Sequence, residues 1–210
     1  MPIVLENEGS FHRLLVWESI ESLDELFELA VVDAKRKAEV RASKSLNRQR
    51  EVLSVRVALK KMLGDKCPAI LYNSNGKPSL ADGAFISISH TGNLIALLVS
   101  DKKNVGVDIE MIRTSIVRLS TKFISDEEKE WVGTNPTLDQ LHLVWGAKEV
   151  LFKLYGLGHV DFKKDLKVLP FDLSKGSTLL ASITKEKIKK DYVIHHELIN
   201  GALLAWGVDL

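Results

Sequence analysis

The chain holds a single cysteine, Cys67, so no disulfide can form within it. That fits a reducing compartment. No apolar run reaches the ~18 residues needed to cross a bilayer. The opening MPIVLENEGS lacks the basic start and apolar run of a secretory signal. The expectation is therefore a cytoplasmic chain with no membrane partner. Neither a P-loop nor Gly-x-Gly-x-x-Gly is present, which argues against those nucleotide-binding loops. No Gly-x-Ser-x-Gly elbow is there to carry a hydrolase nucleophile. His12, His159, His195 and His196 show no metal-ligand spacing with the cysteine or with one another, which speaks against zinc. No stretch is rich enough in Pro, Gly or Ser to separate independent domains. A net charge of +1 gives no reason to expect nucleic acid as a partner.

What is there suits a soluble globular protein: 210 residues, 45% hydrophobic and 27% charged. Charge is unevenly spread. From Lys35 to Lys66 stand eleven Lys and Arg against Glu39, Glu51 and Asp65, a net of +8. Acidic residues precede this segment: Glu18, Glu21, Asp24, Glu25 and Glu28. Such blocks are usually solvated helix faces; the functional alternative is an anion site.

Patterning suggests alternating types of element. Residues 11–17 suit a strand. Ser22 with Glu25 makes a capping box for a short helix. A second helix is predicted from Ser45 to Leu63, with Val52, Val55, Leu59, Met62 and Leu63 on its apolar face and Gly64 as its stop. After the turn-forming Asn73 to Pro78, strands are predicted at 85–90, 94–99 and 105–110. Ser125 with Glu128 opens another helix over 126–132, and one more spans 138–155 before Gly156. Beyond Pro170 strands are predicted at 178–184, 192–197 and 202–208. Helices beside short antiparallel sheets make the class α+β.

Four constellations could carry chemistry. In Gly106-Val-Asp-Ile-Glu110, strand periodicity puts Asp108 and Glu110 on one face. Paired hard carboxylates suit Mg²⁺ shared with a phosphate, although a lone pair of this kind is most simply a solvated acidic face. In Trp145 to Lys153, helical spacing gathers Leu141, Val144, Trp145, Phe152 and Tyr155 on an apolar face, with Lys148 at its edge. Glu149 and Lys153 lie on the other side, in line with His142 and Gly146; by itself this is an ordinary exposed pair. Ser87 to Thr91 gathers hydroxyls and an imidazole where a strand meets a turn, as phosphate donors or simply as a polar turn. Lys77, between Gly76 and Pro78, could reach a phosphate or decorate a loop.

Along the chain, in order, stand Gly76-Lys77-Pro78, Ile88-Ser89-His90-Thr91, Gly106-Val107-Asp108-Ile109-Glu110, Phe123 to Glu128, and Trp145 to Lys153. Together they resemble the surfactin-type 4′-phosphopantetheinyl transferases, over roughly residues 45–160. The resemblance implies a pseudo-dimer of two similar α+β halves in one monomeric chain, 1–102 and 103–210, with coenzyme A in the cleft between them. It implies a Mg²⁺-dependent transfer of phosphopantetheine from coenzyme A to a serine of an apo acyl or peptidyl carrier protein. Asp108, Glu110 and Glu149 resemble the magnesium ligands, and Glu149 could also accept the serine proton. Lys153 resembles the lysine at the reacting pyrophosphate. Arg48, Lys77, Ser89 and His90 resemble residues that hold the coenzyme A phosphates and adenine end; Arg50 lies close enough to share the role of Arg48. Rival expectations are a magnesium-dependent hydrolase of coenzyme A or a related nucleotide, and a non-catalytic coenzyme A-binding module.

Overall fold

The computed structural model describes residues 2–30, 32, 34–65 and 67–209, without the side chains of 35 and 36. The side chains of Lys35 and Arg36, and Lys66, in the basic segment thus lie outside the described residues. In the first half the elements are β1 (Ile3–Glu8), β2 (Arg13–Glu18), α1 (Leu23–Leu29), α2 (Ala34–Arg41), α3 (Leu46–Leu63), β3 (Ile70–Tyr72), β4 (Pro78–Leu80), β5 (Phe85–Thr91) and β6 (Leu94–Ser100). The second half has β7 (Val105–Met111), α4 (Ile116–Leu119), a 3₁₀ turn (Ser120–Lys122), α5 (Asp126–Val132), α6 (Leu138–Tyr155), β8 (Leu166–Val168), β9 (Thr178–Lys185), β10 (Ile188–Ile199) and β11 (Ala202–Val208). Among the described residues they build two antiparallel sheets, ordered β1-β2-β6-β5-β4-β3 and β7-β11-β10-β9-β8. The first sheet closes at Ser100 and the second opens at Val105. The α+β class read from the patterning is what the chain adopts.

Local chemistry explains the helix ends. Ser45 accepts the Arg48 N–H at the start of α3, and Gly64, at φ +83°, lets the chain turn away at its end. Full capping boxes open α1 at Ser22 and Glu25, α5 at Ser125 and Glu128, and α6 at Thr137 and Gln140. The apolar face of α3 differs from the predicted one. Leu53, Val55, Val57, Ala58 and Leu59 are core, whereas Val52, Met62 and Leu63 are only half-buried. Helix α6 departs further: Lys148 lies at 0% exposure, and His142 and Gly146 on the supposed polar side are buried too. This helix is enclosed on both sides, so an amphipathic reading fails for it.

The layers stack helix, sheet, sheet, helix. Leu15, Trp17, Ile95, Leu97 and Val99 pack on α3. The alternate residues Leu14, Val16, Leu94, Ala96 and Leu98 meet Val105, Val107, Ile109 and Leu204 of the second sheet. Strand β6 is therefore buried on both faces, which is why it reads as an unbroken apolar run. Beyond the second sheet, Val144, Ala147, Val150 and Leu151 of α6 pack on Leu166, Ile183, Leu203 and Ala205.

The sheets meet along a seam of side chains. Ser87 Oγ accepts the Val107 N–H at 2.9 Å, Ser89 Oγ accepts Ile109 N–H at 3.2 Å, and Thr91 Oγ1 accepts Met111 N–H at 3.3 Å. Strand β7 is an edge of its sheet, so these amides would otherwise be buried donors without acceptors. The hydroxyls recur every second residue because strand side chains alternate, while Ile86 and Ile88 turn back to the α3 core.

Candidate active site

Strand β7 alternates two jobs. Val105, Val107 and Ile109 face the first sheet, and Gly106 and Asp108 face α6. The helix lies very close here. A Cβ at Gly106 would come within 2.6 Å of the Val150 carbonyl oxygen, and one at Gly146 within 3.3 Å of Ala205 Cβ and 3.8 Å of Asp108 Oδ2. Glycine at both positions lets backbone approach backbone, so the polar row of α6 reaches the carboxylates of β7.

Asp108 is buried. Its Oδ1 accepts from Lys153 Nζ at 2.8 Å and from Ser89 Oγ at 3.0 Å. Its Oδ2 is buried with no hydrogen-bond partner among the described residues. Lys153 Nζ also donates to the Val107 carbonyl at 2.7 Å. Glu110 accepts from Thr91 Oγ1 at 3.5 Å. Burial, and then the charge of Asp108, raise the Glu110 carboxyl above its ordinary range, against Arg113, Thr91 and Lys153. Glu149 is pushed up to about 7, chiefly by burial and then by Asp108, with Lys153 opposing and Glu110 adding to the rise.

The structure thus brings Asp108, Glu110, Glu149 and Lys153 together from two elements some forty residues apart. One lysine faces three carboxylates. A buried orphan oxygen and two raised carboxyls mark a deficit of positive charge, and an oxygen-only donor set of this kind fits a hard divalent cation. As they stand, no three His, Cys, Asp or Glu among the described residues are gathered tightly enough to hold a metal ion.

Beside this cluster lies a cavity of about 480 Å³ between the halves. Its walls include Arg48, Glu51 and Arg56 of α3, Tyr72, Asn75 to Pro78, Ser89 and His90 of β5, and Phe152 and Lys153 of α6. Five of these side chains (Arg48, Arg56, Lys77, His90 and Lys153) are basic types and one, Glu51, is acidic, which suits a polyanion with an apolar portion. Arg48 donates to Glu51 at 3.0 Å, and His90 Nε2 lies 3.6 Å from the same Glu51 oxygen. Lys77 Nζ donates to Asn104 Oδ1 at 2.7 Å and to the Leu154 carbonyl at 3.2 Å, and burial lowers its pKa. Arg50 points elsewhere, donating to the Glu21 carbonyl at 2.6 Å. Arg48, Lys77, Ser89, His90 and Lys153 all line one cavity; Arg50 does not.

Sequence patterning set Lys148 at the edge of an apolar face and Glu128 in a capping box, and missed that the two pair in the core. Lys148 and Glu128 pair at 2.6 Å with both side chains fully buried. Lys148 also donates to the carbonyls of Phe123 and Phe162, and Glu128 accepts the N–H groups of Ser125 and Val168. A basic residue within an otherwise apolar helical stripe was the available signal. Around it Trp145 lies against Phe123 and Phe162, with ring centroids 5.1 and 5.4 Å apart.

Two halves with a basic cleft between them, and carboxylates converging at its rim, make a site whose charge suits a phosphorylated ligand. Residues 104–206 match the model of the 4′-phosphopantetheinyl transferase superfamily. The match lies almost wholly within the second half of the chain. It is 33% identical over 111 residues to the 4′-phosphopantetheinyl transferase AcpT of Salmonella typhimurium, covering 50% of this chain and 57% of that protein. The AcpT of Escherichia coli K12 is 32% identical over 99 residues, 42% of this chain and 49% of its own. The 4′-phosphopantetheinyl transferase HetI of a Nostoc species is 26% identical over 131 residues, 57% of this chain and 55% of its own. The chain thus spans about half the length of the curated relatives it matches. Among the described residues no helix is long and apolar enough to cross a membrane.

Proposed function

We propose that this chain, a two-halved enzyme of the surfactin type, transfers the 4′-phosphopantetheine arm of coenzyme A to a serine of an apo carrier protein. The observation that supports this most is Lys153, which lines the basic cavity and at the same time binds Asp108 in the acidic cluster. Anion cleft and cation-attracting carboxylates therefore share one lysine, as a pyrophosphate reacting at their junction requires.

In this reading Arg48, Lys77 and His90 hold the phosphates at the adenosine end, and the apolar wall around Phe152 takes the uncharged part. The carrier serine oxygen attacks the β-phosphorus of coenzyme A. The bridging phosphorus–oxygen bond breaks, and adenosine 3′,5′-bisphosphate leaves with the electron pair. The serine proton passes to Glu149, directly or through water. Lys153 faces the oxygens on which charge develops, and such preorganised electrostatics is usually the largest contribution to catalysis. Asp108, Glu110 and Glu149 would hold magnesium, which supplies neutralisation of pyrophosphate charge when bound. The surface of the +8 segment gives an acidic carrier a place to dock, with salt-sensitive association.

Mass spectrometry of an apo carrier protein after incubation with coenzyme A and Mg²⁺ tests the proposal. Gain of one phosphopantetheinyl group per carrier is the expected result. Coenzyme A consumed without any change in the carrier would make the protein a hydrolase instead.

A further inference from the structure

The seam hydroxyls do not all have the same surroundings. Ser87, Ser89 and Thr91 each accept one amide of β7, but Ser89 alone also reaches Asp108, giving its proton to Oδ1 at 3.0 Å. Its proton and one lone pair are therefore engaged inside the protein. Ser87 makes the same kind of amide contact two residues earlier, and no carboxylate contact accompanies it among the described hydrogen bonds. We infer that Ser89 is a positioning residue: it locks the Asp108 carboxylate to the seam between the halves so that Oδ2 is presented to a divalent cation.

The inference rests on the cation reading given above and concerns how the site is held. Asp108 has two χ angles and could turn either oxygen inward. Ser89 and Lys153 both take Oδ1, from the first half and from α6 respectively. Oδ2 is left buried and unpaired among the described residues. A buried carboxylate oxygen without a donor is costly unless something else satisfies it. Groups that orient metal ligands in this way typically change metal affinity when removed. The Ser89 contact also ties the site to the register of the two sheets, because the same oxygen accepts Ile109 N–H at 3.2 Å.

The test compares Ser89→Ala with Ser87→Ala in the full 210-residue chain, without coenzyme A. Each removes one seam acceptor, so both should lower the midpoint of thermal unfolding to a similar extent. Mn²⁺ is titrated into each by calorimetry, and the Mn²⁺-induced rise in unfolding temperature is recorded alongside. Ser89→Ala should weaken Mn²⁺ binding about 10–100-fold, while Ser87→Ala should stay within about twofold of the unmodified chain. Ser89→Thr should regain most of the affinity, since Thr91 shows that a threonine fits this seam. Equal Mn²⁺ affinity in Ser89→Ala and Ser87→Ala would overturn the positioning role and leave the cation reading standing. No Mn²⁺ uptake by the unmodified chain would overturn both.

Discussion

Two ionic groups sit less than two helical turns apart on α6, and they are built on opposite terms. Lys148 is fully buried and every one of its contacts is matched: Glu128, two carbonyls, and on the Glu128 side two further amides. Lys153 is partly exposed and outnumbered, facing Asp108, Glu110 and Glu149 with one charge. Burial pulls the Lys148 pKa down and Glu128 pulls it back, so that pair is closed on itself. In the second group burial and the charge of Asp108 push the proton affinity of Glu110 and Glu149 upward. The closed group holds α5, α6 and β8 together. The open one is left short of positive charge. The lesson is that unmatched charge, rather than buried charge as such, distinguishes the end of the helix at the proposed site.

The largest effect should come from removing the centre of the open group. Asp108→Ala should cut transfer to a carrier protein by ~10³-fold or more, with the fold kept and the unfolding temperature within a few degrees of the parent. Normal turnover in that variant would dissolve the functional half of the contrast. Lys148→Met breaks the closed group and leaves Glu128 buried without its counter-charge. It should destabilise the chain by about 3–5 kcal/mol in urea unfolding; a loss below 1 kcal/mol would mean that the pair is dispensable.

Glu149→Gln should act in the other direction and more weakly. The folded-state carboxyl is raised from 4.5 to about 7, so the folded protein takes up the proton more readily than the unfolded chain. The stability that protonation gives is complete below pH ~4.5 and lost as pH rises through 7. Above pH 7 the metal-free Glu149→Gln variant should therefore be more stable than its parent, by roughly 1–3 kcal/mol. At pH 4 the two should unfold together. A variant less stable than its parent at pH 8 would show that Glu149 is not under strain.

Much of the frame was legible because it is written in local chemistry. Ser45, the pair Ser125 and Glu128, and Gly64 and Gly156 set the bounds of α3, α5 and α6 within neighbouring residues. Strands β5, β6 and β7 were readable from alternation and apolar runs. The pieces that escaped are short or lie at a sheet edge: β1, β3, β4, β8, α2 and α4 bury too little to impose a pattern. The site was legible as motifs. Its convergence was not, because the meeting of Asp108 with Lys153 depends on how closely a helix approaches a strand 45 residues away in sequence. Ser87, Ser89 and Thr91 read as a polar turn because their acceptor role is defined only by the edge amides of a distant strand.

The seam carries one more implication. Since it is stitched by hydroxyls and not by a shared strand ladder, each sheet keeps all of its own pairings if the polypeptide is severed in the turn at 101–104. The two pieces would still need each other to hide Leu14, Val16 and Leu98 on one side and Val107, Ile109 and Leu204 on the other. Co-expressed fragments divided at that turn should accordingly find one another and reassemble, making this protein a natural candidate for a split reporter.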